Sequence, residues 1–285
     1  PAPAAACPPS GATKAALLEL KEKNFEIASA EQRNRLAIQL LPCLETADPK
    51  IRDGVAFEAL STWMRAKALT TATVLTIGES LERTLAGEKD AGGFRLPFAA
   101  LTLAEVARAD RIEPILTDAA RAEMVDLAAT SLLRVDDYRG FDAVDGWRHG
   151  VAHGADLVLQ LGINPKVGPD GVRRLMDAVR SQVAPAGRVS YIFGEPARFA
   201  RAIVFTYRRN VVDAAYWDGW FKSIADPRPF ASWGKAAGSL EGLAKRHNTL
   251  SFLNAVAFVS RSLGDDAGRT LAALADKTAS QLSGS

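Results

Sequence analysis

Along almost the whole chain apolar residues recur three and four positions apart, and almost no stretch alternates apolar with polar. That period belongs to helices, so the sequence predicts an all-α chain without strands. Local signals mark where the helices begin. Ser29 with Gln32 forms a capping box, and Asp48-Pro49 places a capping acid before a proline at the first helical position, where a missing N–H costs nothing. Further starts fall near Thr71, Phe94, Thr117, Asp170, Glu195, Asp213, Leu240 and Ala267, and Gly87 closes the helix that begins at Thr71. Paired starts lie roughly 40 residues apart, the spacing of two-helix solenoid repeats. The expected architecture is a curved stack of antiparallel helical hairpins, a HEAT/armadillo-like α-α superhelix with a concave binding face.

Composition limits what such a chain does. Its 285 residues, 48% hydrophobic, suffice for a core that needs no staple. The formal charge is +2 and the charges are interspersed, which argues against nucleic acid as a partner. No apolar run reaches the roughly 18 residues of a membrane span. Residues 1–12 read as an Ala/Pro-rich tail and 13–285 as a single all-helical domain. The start PAPAAACPPSGAT looks like the remainder of a processing event, so export to the periplasm is expected, with the cytoplasm as the alternative. Cys7 and Cys43 are the two cysteines. They are a bridge in an oxidising compartment or two free thiols, and their spacing leaves both open.

The segment from Tyr138 to Pro165, YRGFDAVDGWRHGVAHGADLVLQLGINP, carries two of the three histidines and reads as the central helix. At about 100° per residue, His149, His153 and Asp156 share an arc of roughly 60°, with Asp145 near the same line. Trp147, Val151, Val158 and Leu161 lie nearly opposite, as a core face. Gly146, Gly150 and Gly154 run along one flank, each costing about 1 kcal/mol against alanine, so close packing or a ligand must offset them. Histidines four apart with an aspartate one turn on are candidate metal ligands, although the glutamate of the HExxH motif is missing. The same residues could instead form a structural or ligand-orienting network. The cofactor expectation is accordingly no metal, with a divalent ion as the alternative.

Other candidates surround this segment in the sequence. Glu195 reads as an N-cap before Pro196, or as a functional carboxylate; Arg198 follows on the same helix. His247 could join the histidines from another helix. Asn248, Ser251 and Asn254 form a polar ridge that must find partners where buried. Trp217, Trp220 and Trp233 read as core, with a sugar-binding groove as the lesser reading. Gly-rich phosphate loops and the GxSxG motif are absent.

The run YRGF…GWRHGVAHGADL, then GEPARFARAI, WDGWF and NTLSFLNAVAF, resembles a bacterial family known as domain of unknown function 2785. IRDGVAFEALSTWMRAKALT resembles its N-terminal pattern, so the similarity covers most of Lys50 to Arg261. The resemblance implies an all-helical fold, and matches Trp147, His149, His153, Asp156, Glu195, Arg198 and Asn254 to the family's polar pattern. It supplies no reaction. The functional expectation is a non-catalytic helical-repeat protein that binds a protein partner or small ligand around His149, His153 and Asp156, with Trp147, Arg198, His247 and Asn254 in the binding surface. The alternative is a metal-assisted or acid/base hydrolase using His149, His153, Asp156 and Glu195.

Overall fold

The computed structural model describes residues 7–282. Among the described residues the protein is all-α apart from one two-stranded hairpin. The helices are α1 (Lys14–Glu22), α2 (Ala30–Gln39), α3 (Pro49–Ile51), α4 (Glu58–Arg65), α5 (Thr71–Ala86), α6 (Arg95–Ile112) and α7 (Asp118–Leu133). After the hairpin come α8 (Gly150–Gly162), α9 (Pro169–Gln182), α10 (Glu195–Tyr207), α11 (Ala214–Ile224), α12 (Trp233–Ala236), α13 (Leu240–Leu263) and α14 (Asp266–Ser280). A wider, π-type turn over Arg52–Phe57 joins α3 to α4.

Local chemistry accounts for the starts. The Ser29 hydroxyl accepts from the Gln32 N–H at 3.2 Å, Asp48 from that of Lys50 at 3.0 Å, and Asp213 from that of Tyr216 at 2.8 Å. Glu195 departs from its expected role. Gly194, at a φ of 91° that glycine tolerates best, is the N-cap, and Glu195 is the first helical residue, its carboxylate reaching back to accept from the Phe193 N–H at 2.9 Å.

The helices pack in two successions. In one, α4 lies on α6, α6 on α8, α8 on α10 and α10 on α13; in the other, α5 lies on α7, α7 on α9, α9 on α11 and α11 on α14. Contacts of α5 with α6, α7 with α8 and α13 with α14 join the two layers. Helix α8 sits in the middle of its row, and ten of its residues, from Val151 to Gly162, are buried. A helix apolar almost all round belongs inside a fold, not on its surface. Its glycines explain how neighbours come so close. A Cβ on Gly154 would meet Leu132 of α7 at 3.0 Å, and one on Gly162 would meet the Thr206 hydroxyl of α10 at 2.4 Å. Helix packing therefore offsets much of their conformational cost.

One buried polar knot ties this row to α7. Asp110, at the end of α6, accepts from the N–H groups of Ile115 and Leu116, from Nε and Nη2 of Arg121, and from Asn164 beyond α8. Burial alone would raise the Asp110 carboxyl, but the Arg121 bonds and the two backbone donors outweigh it and hold it below its ordinary value.

Cys7 and Cys43 are bridged, across a sequence separation of 36. The bond anchors the second half of the 1–12 tail; residues 1–6 lie outside the described residues. By loop entropy a closed loop of this length stabilises the fold by about 3–4 kcal/mol. Reduction should lower the urea midpoint accordingly, and alkylation of the unfolded, unreduced protein should leave its mass unchanged. Two alkylated thiols, or an unaltered midpoint after reduction, would contradict the bridge.

Candidate functional site

The central helix begins at Gly150, not in the Tyr138–Trp147 stretch, which corrects the helical reading of that segment. Phe141–Asp142 pairs antiparallel with Gly146–Trp147 instead. Its turn is set by Asp142, whose carboxylate accepts from the N–H groups of Val144 at 2.8 Å and Asp145 at 2.9 Å, an aspartate turn in place of a helical one. Gly146 has a φ of 74°, and a Cβ there would lie 2.9 Å from Pro49. It is thus a turn glycine rather than a rung of a helical ladder, and Asp145 leaves the histidine line altogether.

Two further bonds, from the Arg148 N–H to the Gly140 carbonyl and from the His149 N–H to that of Arg139, carry the hairpin to the helix. His149 is then the N-cap of α8 in the left-handed region, φ 56° and ψ 39°, without a side-chain cap. A non-glycine residue held there marks a junction that its surroundings over-determine.

Those surroundings include residues the helical reading passed over. Arg52, fully buried on the π-type turn, donates to the Thr46, Ala47 and Asp145 carbonyls and to Asp53. Its guanidinium lies 4.0 Å from the centre of the Phe94 ring, whose centre also has the Arg148 guanidinium at 4.5 Å. Arg148 in turn donates to the Gly92 carbonyl and to Asp145. Gly140 has no room for a side chain, because a Cβ would fall 2.0 Å from the Phe193 ring. The signals were an arginine inside the apolar run IRDGVAF and a glycine between two aromatics in YRGF.

The histidines stand at the bottom of this arrangement. The Trp147 indole, 37% exposed, stacks on the His149 ring with centroids 4.7 Å apart, and Phe193 meets the indole edge-on. His149 and His153 meet edge to face at 5.7 Å, and Phe98 packs edge-on against His153 at 5.2 Å. Both histidines are only 7% exposed. Nε2 of His149 and Nδ1 of His153 are buried without a hydrogen-bond partner. Burial first, and the Arg198 charge second, lower His149 to about 4. Burial, then His149 and Arg198, lower His153 to about 3. Both rings are neutral at pH 7.

Carboxylates complete the site. An oxygen of buried Glu195 lies 3.9 Å from Nε2 of His149. Burial pushes the Glu195 carboxyl upward, against its backbone hydrogen bonds. Asp156, one turn along α8, accepts from Arg198 at 2.6 Å, and its carboxyl is likewise raised by burial against the pull of that arginine. The structure therefore brings together Trp147, His149, His153, Asp156, Glu195 and Arg198. Asp156 turns to its arginine rather than to the histidines, and among the described residues no three His, Cys, Asp or Glu side chains form a metal-holding group.

His247 and Asn254 lie on α13. Both line an open depression on α13, His247 with Nε2 at 3.3 Å from the Tyr191 carbonyl, and no described hydrogen bond or ring contact joins them to the other histidines. Of the polar ridge, Asn248 is the buried member, and it clamps the 189–191 segment by accepting from the Tyr191 N–H and donating to the Val189 carbonyl. Trp217, Trp220 and Trp233 are buried core, and the indoles of Trp220 and Trp233 donate to the Met176 and Ala225 carbonyls. They offer no sugar platform.

Fold and site together define an all-α protein whose central helix begins under an aromatic hairpin with two neutral, buried histidines. The model of the family described as Protein of unknown function (DUF2785) matches residues 81–258, more than half of the chain, and the chain belongs to that family. No curated protein and no solved structure matches it.

The lowered histidines fix the sign of the pH dependence. Above pH 6.5 the rings are neutral in folded and unfolded chains alike. As pH falls through 6.5 the unfolded chain takes up protons that the folded one refuses until about 4 and 3, so stability declines toward acid. Between pH 7.5 and 5.5 each histidine should cost about 1.3 kcal/mol. His153→Phe, which removes an unpaired buried nitrogen, should be shallower over that range by this amount in urea titrations; an unchanged slope would contradict the assignment.

Proposed function

We propose that this is a non-catalytic binding protein, a curved HEAT/armadillo-like stack whose concave face takes up a partner or small ligand around His149, His153 and Asp156. The observation that carries the reading is the pair of unpartnered, buried ring nitrogens beneath a half-exposed indole. An unsatisfied buried polar atom costs about 1–3 kcal/mol, which a ligand reaching it with a hydrogen-bonding edge recovers. Trp147 supplies a flat apolar platform next to that edge, and the Arg198–Asp156 pair supplies a charged border. The two-row succession of helices supports the stack.

Binding is favoured over chemistry because a base of pKa about 4 or 3 is poorly matched to proton transfer at neutral pH. Hydrolysis is the second reading, and the observation that favours it is the raised Glu195 carboxyl facing His149. Export to the periplasm is supported by the Cys7–Cys43 bridge, since disulfides persist in oxidising compartments. No described helix is long and apolar enough to cross a membrane.

A thermal-shift screen of planar amides, heterocycles and sugars tests the reading. A ligand found this way should bind at least tenfold more weakly to Trp147→Ala and to His149→Phe, with no turnover in the wild type. Binding undiminished in both variants would move the site elsewhere. Turnover of an ester or amide that Glu195→Gln abolishes would replace the binding reading with the hydrolytic one.

A further inference from the structure

On the glycine flank of α8, the ends of α5 and α7 and the starts of α6 and α8 line an open-mouthed cavity of about 80 Å³. Its walls are apolar, formed by Leu85, Leu96, Pro97, Ala100, Leu132 and Val135, and Gly150 and Gly154 leave bare helix backbone as its back. A dry apolar cavity of about 150 Å³ accommodates benzene, so this one holds roughly half of that, an aliphatic tail of about three or four carbons.

Charges gather at the mouth, and almost all are committed. Both oxygens of Asp90 accept backbone N–H groups, of Phe94 at 3.1 Å and Arg95 at 3.0 Å. Asp136 is paired with Lys89, and Asp137 with Arg139. Arg134 is exposed, donates only to the Gly87 carbonyl at 3.3 Å, and has no carboxylate partner among the described residues. The free recognition element is thus one guanidinium, whose planar fork matches a carboxylate. An amine would meet only carboxylates that already have their partners.

We propose that this cavity binds short aliphatic carboxylates, the tail between Ala100, Leu132 and Val135 and the carboxylate on Arg134. None of the six residues gathered around His149 and His153 lines this cavity, and neither assignment depends on the other.

Methyl-resolved NMR titration of the full chain with acetate, butanoate, butan-1-ol and butylamine tests it. Butanoate should shift the methyl resonances of Leu85, Leu132 and Val135 saturably and bind roughly fifteenfold more tightly than acetate, at about fourfold per buried methylene. Arg134→Gln, a surface change, should weaken butanoate about fivefold and leave butan-1-ol unchanged. Ser131 also lines the cavity; Ala100→Leu or Ser131→Leu, whichever keeps the helical circular dichroism of the wild type, should abolish the shifts. The proposal is overturned by shifts that are absent or map elsewhere, by butylamine binding as tightly as butanoate, or by Arg134→Gln binding butanoate undiminished.

Discussion

Helix α8 is enclosed by α6, α7 and α10, and the rest of the structure depends on the terms of that enclosure. A helix in this position has almost no outward face for a charged group. Its glycines let α7 and α10 come to van der Waals distance, and its two histidines are accommodated as neutral rings among aromatics. Asp156 alone keeps a charged partner, and that partner is Arg198 from the adjacent helix. The neutrality of the histidines is therefore a consequence of where the helix lies, and their two unpartnered nitrogens are what that burial leaves over.

The hairpin closes the exposed end of this helix and is held from below by chain far away in sequence. Arg52 reaches the Asp145 carbonyl across 93 residues of chain, and the two guanidiniums on Phe94 join the α3–α4 turn to the residue before His149. Buried arginine is costly unless its donors are used, and four acceptors around Arg52 use most of them. The site is thus assembled from four separated stretches: the α3–α4 turn, the start of α6, the hairpin with α8, and the start of α10.

How much of this was legible follows from the range of the forces involved. The all-α class and the caps at Ser29, Asp48 and Asp213 were legible because periodicity and capping act within a few residues. The hairpin was not. Asp142 and Gly146 are turn formers, yet His149, His153 and Asp156 fit one helical arc so well that the period seemed to extend through them. What breaks the helix is the docking of Gly146 on Pro49 and of Gly140 on Phe193, contacts whose partners lie 97 and 53 residues away, so that the glycine in YRGF marks a close approach without saying to what. His247 and Asn254 were grouped with the site from their sequence pattern alone, and no described hydrogen bond or ring contact joins them to it, whereas Trp147, Glu195 and Arg198 do converge on it. Trp147 reached it from the hairpin, not from a helix face.

The central claim is that the fold holds His149 and His153 neutral at the start of a buried helix. Following their ring carbon and nitrogen resonances by NMR from pH 8 to pH 5 measures this directly. Both sets should stay at neutral-imidazole positions throughout, since their midpoints lie at about 4 and about 3. A titration of either ring with a midpoint near 6.5 would show an imidazole open to water and would contradict the account.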